Sequence, residues 1–188
     1  MGLEAVCIAS GPSLTESDVE LVRNWREGSE NRVVIVTNTT FRIAPWADWL
    51  YAMDRKWWEI HMAEVRKTFK GRLISNCSQA KILKVEHPSD LIRNFDPCGT
   101  SGTAALSFAI RLGAVRVVML GYDNGKLNGQ VHWHADHPKP LGNAGTLPAW
   151  NDRFKRLRTR YPKANVLNAS RHTLLKMFPR VTLEEALV

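Results

Sequence analysis

The sequence predicts an α/β fold with a mainly parallel sheet and helices on both faces, in one domain spanning residues 1–188. Short apolar runs alternate along the chain with stretches of helical periodicity, the pattern of strands connected through helices. Two of those runs, "RVVIVT" at 32–37 and "VRVVML" at 115–120, are β-branched and nearly continuous. Strands that alternate strictly have one wet face; strands that do not are covered on both. No repeat, low-complexity tract or linker divides the chain, and its length suffices for one proper core.

The elements follow in order. Residues 4–9 form a short apolar run that ends in "SGPSL". Residues 16–25 place Val19, Leu21, Val22 and Trp25 at helical spacing, with Thr15 or Ser17 as a cap and acids in the first turn. The strand at 32–37 comes next, then "WLYAM" at 49–53, a helix over 55–69 and a strand over 71–75. Residues 81–85 read as a further short strand. Residues 101–112 are rich in Ala and Leu and stop at Gly113, a helix with its C-terminal glycine. The strand at 115–120 leads into the turn-rich "GYDNGKLNGQ". A loop at about 122–145 is followed by a basic helical part at about 146–188, with a helix over 146–160, a strand over 164–167 and short helices at 174–178 and 183–187. The resulting order of elements is Rossmann-like.

Composition narrows the classes. No apolar run approaches the roughly 18 residues of a membrane span, and the N-terminus has no secretory pattern. Cys7, Cys77 and Cys98 lie far apart, which favours a reducing cytoplasm over a disulfide framework or a paired-cysteine zinc site. The net charge of +8 is concentrated: residues 151–180 hold nine Lys and Arg against the single acid Asp152. Such a stretch fits an anionic partner, including nucleic acid, or a solvated basic helix face. Trp46, Trp49, Trp57 and Trp58 fit core or interface equally.

In open parallel sheets ligands bind beyond the carboxyl ends of the strands, so each strand end is a candidate. After the first strand come Gly11, Pro12 and Ser13: a tight turn, close backbone approach and a hydroxyl before a helix N-terminus, which is a phosphate seat. The turn is neither GxGxxG nor a P-loop. Asn38 after the second strand suits a base edge or ribose, or an Asx-turn. Asp54 suits a ribose, a metal, Arg55 or a helix N-cap, and Asn76 is open in the same way. Thr100, Ser101 and Gly102 precede a small-residue helix and make a second anion seat. Gly121, Tyr122 and Asp123 end the most apolar strand. Together these ends describe one polar rim.

"QVHWHADHP" brings His132, His134 and His137 together with Asp136. In an extended segment His132 and His134 share a face. Imidazoles so placed suit acid–base work or phosphate contact, a divalent metal, or a structured loop.

"GPSL", Asn38, "TSG" and "LGYD", in this order, resemble the bacterial α-2,3/2,8-sialyltransferase fold family. They are similar also to the related archaeal 6-hydroxymethylpterin diphosphokinase-like proteins and motility-accessory-factor glycosyltransferases. The segment "GYDNGKLNGQVHWHADHP" looks most like small phage-encoded members of this group. The resemblance spans residues 5–143 as scattered short motifs. It implies a CMP-sugar or similar donor held by Gly11, Ser13, Asn38, Thr100, Ser101, Gly102 and Gly121. It implies a general base among His132, His134 and His137, and no metal. The family's lid tyrosines are missing, with only Tyr122 and Trp133 in their place. The diphosphokinase branch instead implies ATP with Mg²⁺ on Asp54 and Asp123, and Asp136 as a lesser third ligand.

The sequence therefore points to a transferase that uses a nucleotide-activated donor, with a glycosyltransferase first among types. It would act in the cytoplasm, the host's if phage-encoded. The alternatives are a Mg-ATP diphosphokinase-like enzyme, a nucleic-acid-binding or DNA-modifying phage protein, and a metal-dependent hydrolase or phosphotransferase built on the histidines.

Overall fold

The computed structural model describes residues 2–142 and 147–188. Six strands form one sheet: β1 (Glu4–Ile8), β2 (Arg32–Thr37), β3 (Trp49–Tyr51), β4 (Arg72–Ile74), β5 (Arg116–Leu120) and β6 (Val166–Asn168). The order across the sheet is β4-β3-β2-β1-β5-β6, and all five pairings are parallel. The chain thus steps outward from β1 to β4, then returns to the other side of β1. The reversal lies between β1 and β5, where Ile8 stands opposite Leu120. Two loops leave side by side at that point, and a crevice opens between them.

The near-continuous apolar strands are explained by two cores. Val6, Ile8, Val34, Val36, Val118 and Leu120 face one side, against α1 (Glu16–Glu27) and α2 (Arg55–Thr68). Ala5, Cys7, Val33, Ile35, Val117 and Met119 face the other, against α5 (Ser101–Arg111) and α6 (Leu147–Arg160). Neighbouring residues point to opposite faces, so both sets must be apolar. Between α2 and α5 lie two single-turn helices, α3 (Ala80–Leu83) and α4 (Pro88–Leu91). The chain closes with α7 (Leu183–Ala186). Trp49, Trp57 and Trp58 are buried, which assigns them to the core. No helix among the described residues is long and apolar enough to cross a membrane.

Two expectations change, and a third falls outside the described residues. Residues 81–85 do not make a strand: α3 occupies most of the segment, Lys84 turns left-handed, and only Glu86 bridges to Ile74. Three apolar residues in a five-residue segment do not by themselves separate strand from helix. Residues 174–178 are not helical either. The Leu174 N–H donates to the Asp123 carbonyl at 2.8 Å and the Leu175 N–H to Thr173 Oγ1 at 3.1 Å, so neither is left for a helical turn. The start of the basic helix, expected at Thr146, and the end of the loop at 143–145 lie outside the described residues.

Thr15 caps α1 through a reciprocal box with Asp18. Asp18, 2 % exposed, also accepts a forked pair from Arg171 at 2.8–3.1 Å. Burial works to raise the Asp18 carboxyl, but the bonds from Arg171 and Thr15 overcome it and hold it below its ordinary value. A carboxyl held low in the folded state stabilises above the unfolded pKa of about 3.9, and loses that contribution as pH falls through the folded value. Arg171→Ala will therefore cost about 1 kcal/mol at pH 7, discounted for the exposed guanidinium. Urea unfolding at pH 7 and pH 3 checks this: the gap to wild type must shrink on acidification.

Candidate functional site

A cleft of about 780 Å³ lies beyond the carboxyl ends of the strands, at the β1/β5 reversal. Its walls are the turn after β1, the start of the 3₁₀ turn after β2, the first turns of α2 and α5, the loop after β5, and the start of α6. That volume suits a nucleotide-sized ligand. A second hollow, of about 480 Å³ beside β4, is lined by Arg66 and Glu86, which are already bonded to the Leu83 carbonyl and to Arg72.

The turn after β1 is clasped to the turn after β5. The Gly11 N–H donates to the Gly121 carbonyl at 2.8 Å. The Ser13 N–H and hydroxyl donate to the two oxygens of Asp123, each at 2.9 Å. A Cβ on Gly11 would sit 2.1 Å from Asp123 Oδ1 and 2.4 Å from the Gly121 oxygen. The close approach that requires this glycine is thus made by the protein itself. The Leu14 N–H is also spent, on the Gly11 carbonyl at 3.2 Å, and Pro12 has none.

The expected phosphate seat in this turn is accordingly corrected. Gly11, Pro12 and Gly121 line the cleft, but Ser13 is buried behind it with its donors committed to Asp123. Asp123 reaches the cleft as the clasp's acceptor, and burial pushes its carboxyl up against the Ser13 bonds. Tyr122 is held likewise: its hydroxyl donates to the Gly102 carbonyl at 3.1 Å and fixes the start of α5.

The opposite walls are less committed. Thr100, Ser101 and Gly102 put the first turn of α5 on the cleft, where unpaired N–H groups and the helix dipole favour an anion. Thr100 caps that helix, and Ser101 Oγ accepts from the Met53 N–H at 3.1 Å. Asn38 stands in the left-handed region at φ 48°, with its Oδ1 buried and without a partner. Asn124 repeats this at φ 51°. Both residues line the cleft, so two buried acceptors beside it have no donor among the described residues.

Asp54 lines the cleft as an exposed residue and makes no side-chain cap to α2. Asn76 does not reach the cleft; its Oδ1 accepts from the Tyr51 hydroxyl at 2.9 Å. Asp54 and Asp123 belong to no grouping of three or more potential metal ligands among the described residues, and both Asp123 oxygens accept from Ser13.

The histidine loop forms the remaining wall. The Trp133 N–H donates to the Ser10 carbonyl at 3.1 Å, which pins the loop across the end of β1. His132 and His134 share a face, as alternation implies, and their rings stack at 5.0 Å and 7°. His137 meets both edge-on, at 5.0 and 4.9 Å. His132 and His137 line the cleft, and His134 is not among the lining residues. Burial, then the neighbouring imidazole His134, pushes His132 down to about 4. Burial followed by His132 and His134 does the same to His137. Burial lowers His134 too. The three rings are neutral near pH 7.

Several lining residues escaped the sequence reading: Lys56, Trp57, Asn124 and Trp150. Lys56 was legible, as a cation in the first turn after a strand end. Asn124 was hidden by its turn-rich context, in which an Asn has a local explanation. The basic segment is also reshaped by folding. Lys155, Arg156 and Arg171 pair with Asp152, Asp96 and Asp18, while Arg158 and Arg180 donate to backbone carbonyls. Residues that form one cationic run in sequence therefore do not form one uncommitted patch. No family model, curated protein or solved structure matches the chain.

Proposed function

We propose that the cleft binds a nucleoside phosphate and that the protein transfers the activated group of that donor, a glycosyl group by preference, to a hydroxyl acceptor. The observation that supports this reading is the convergence of an α5 first turn and two unpartnered Asn oxygens on one cleft at the sheet's reversal. The phosphate is assigned to the Thr100–Gly102 turn, not to the turn after β1, whose donors are spent. Asn38 and Asn124 are assigned to ribose hydroxyls or a base edge. In the transfer, the acceptor oxygen forms a bond to the sugar carbon as the sugar–phosphate bond breaks. The acceptor's proton goes to the histidine edge, and the leaving phosphate keeps its electron pair under the helix dipole.

Titration calorimetry with CMP, UDP, GDP and ATP, each with and without Mg²⁺, tests the reading. The expected result is micromolar binding of at least one nucleotide without metal. Silence from all four overturns it, and binding of ATP only with Mg²⁺ replaces it with the diphosphokinase-like alternative.

A further inference from the structure

Among the described residues, one grouping of His, Cys, Asp or Glu has the spacing to hold a metal: His132, His134 and His137, whose ligand atoms all lie within 4.8 Å of one another. From this convergence, and from the unpartnered ring nitrogens within it, we propose that the three histidines bind one divalent transition-metal ion, zinc by ligand type, on the wall of the cleft.

Four features support the site. His132 Nε2 and His134 Nε2 are buried and make no hydrogen bond among the described residues, although a buried polar atom normally has a partner. His134 Nδ1 lies 2.6 Å from the Ala135 carbonyl. A carbonyl only accepts, so Nδ1 carries the proton and the lone pair is on Nε2, the arrangement that second-shell partners impose on ligating histidines. Nitrogens at 2.0–2.1 Å from zinc in a tetrahedral set stand about 3.3 Å apart, so ring rotations of about 1 Å complete the site. The nearby Arg42 charge is met by Glu64 through two bonds of 2.7 Å, and Asp136 adds an acid beside His132.

Three protein ligands leave a fourth position. His132 and His137 line the cleft, so that position opens toward a bound ligand. Zinc held in this way lowers the pKa of its water to about 7. With the ring nitrogens ligated, a metal-bound hydroxide rather than an imidazole would be the base on this wall. It would take the acceptor's proton and become bound water. This last consequence rests on the transferase reading; the metal site does not.

The test uses the full chain without a polyhistidine tag, stripped with chelator and dialysed against zinc alone. Metal analysis is expected to return one zinc per chain. Cobalt in its place is expected to give the intense visible bands of a tetrahedral site. His132→Gln, His134→Gln and His137→Gln, each checked for native circular dichroism, are expected to weaken binding about a hundredfold, and His87→Gln to leave it unchanged. Wild-type protein that retains no zinc at micromolar free metal, or folded variants that bind as tightly as wild type, overturn the proposal. Nucleotide titration of the stripped protein separates this outcome from the donor reading: zinc without nucleotide binding leaves the metal site standing, and the reverse removes it alone.

Discussion

Gly11→Ala will destabilise the protein by about 3 kcal/mol or more, because the added methyl has no room. Its Cβ would lie 2.1 Å from Asp123 Oδ1 and 2.4 Å from the Gly121 carbonyl oxygen. Neither neighbour is a flexible side-chain end. Asp123 is 1 % exposed and held by Ser13, and the Gly121 oxygen is backbone already bonded to the Gly11 N–H. The turns must part, which breaks the clasp that joins β1 to β5 at the cleft. Urea unfolding measures the effect, with Gly142→Ala as the control. No described residue lies within 4 Å of a Cβ at Gly142, so that variant will stay within about 0.5 kcal/mol of wild type. Equal stability of the two variants would refute the clasp.

Asn38→Gly will separate binding from stability. Asn38 holds φ 48°, a conformation that glycine adopts without strain, and the substitution removes a buried oxygen that has no partner. Stability will therefore change by less than about 1 kcal/mol. Nucleotide affinity will fall about ten- to a hundredfold, the loss expected when a well-placed hydrogen bond to ligand disappears. Calorimetry on the variant and on wild type checks both halves. Unchanged affinity would remove Asn38 from the site.

These two residues show how far the sequence carries. Gly11 and Asn38 both stood out at strand ends, and both are in the cleft wall. Gly11 was legible as a place where something approaches the backbone. That this is Asp123, 112 positions away, was not, because nothing local to "SGPSL" encodes what β5 delivers beside it. Asn38 was open between a turn and a ligand contact. The Asx-turn bond is absent because Oδ1 has no partner among the described residues, which depends on what the fold brings within reach. The histidines were legible as a cluster from spacing alone, yet their burial and neutrality come from the packing of the loop over the cleft.

Residue types and their periods determined the α/β class, the strands buried on both faces, the Thr15 and Thr100 helix starts, and the polar character of the strand ends. These are local matters: a strand's faces and a helix's cap are decided within a few residues. The tertiary structure decided which polar ends face a ligand and which face each other. Ser13 and Asn76 were drawn into internal bonds with Asp123 and Tyr51. Asn124 was brought to the cleft without notice, and Arg156 and Arg171 of the basic run were drawn to Asp96 and Asp18, acids of distant segments. The physical reason is that a hydrogen-bonding group serves whichever partner the fold places within about 3 Å, and that distance is set by elements far apart in the chain.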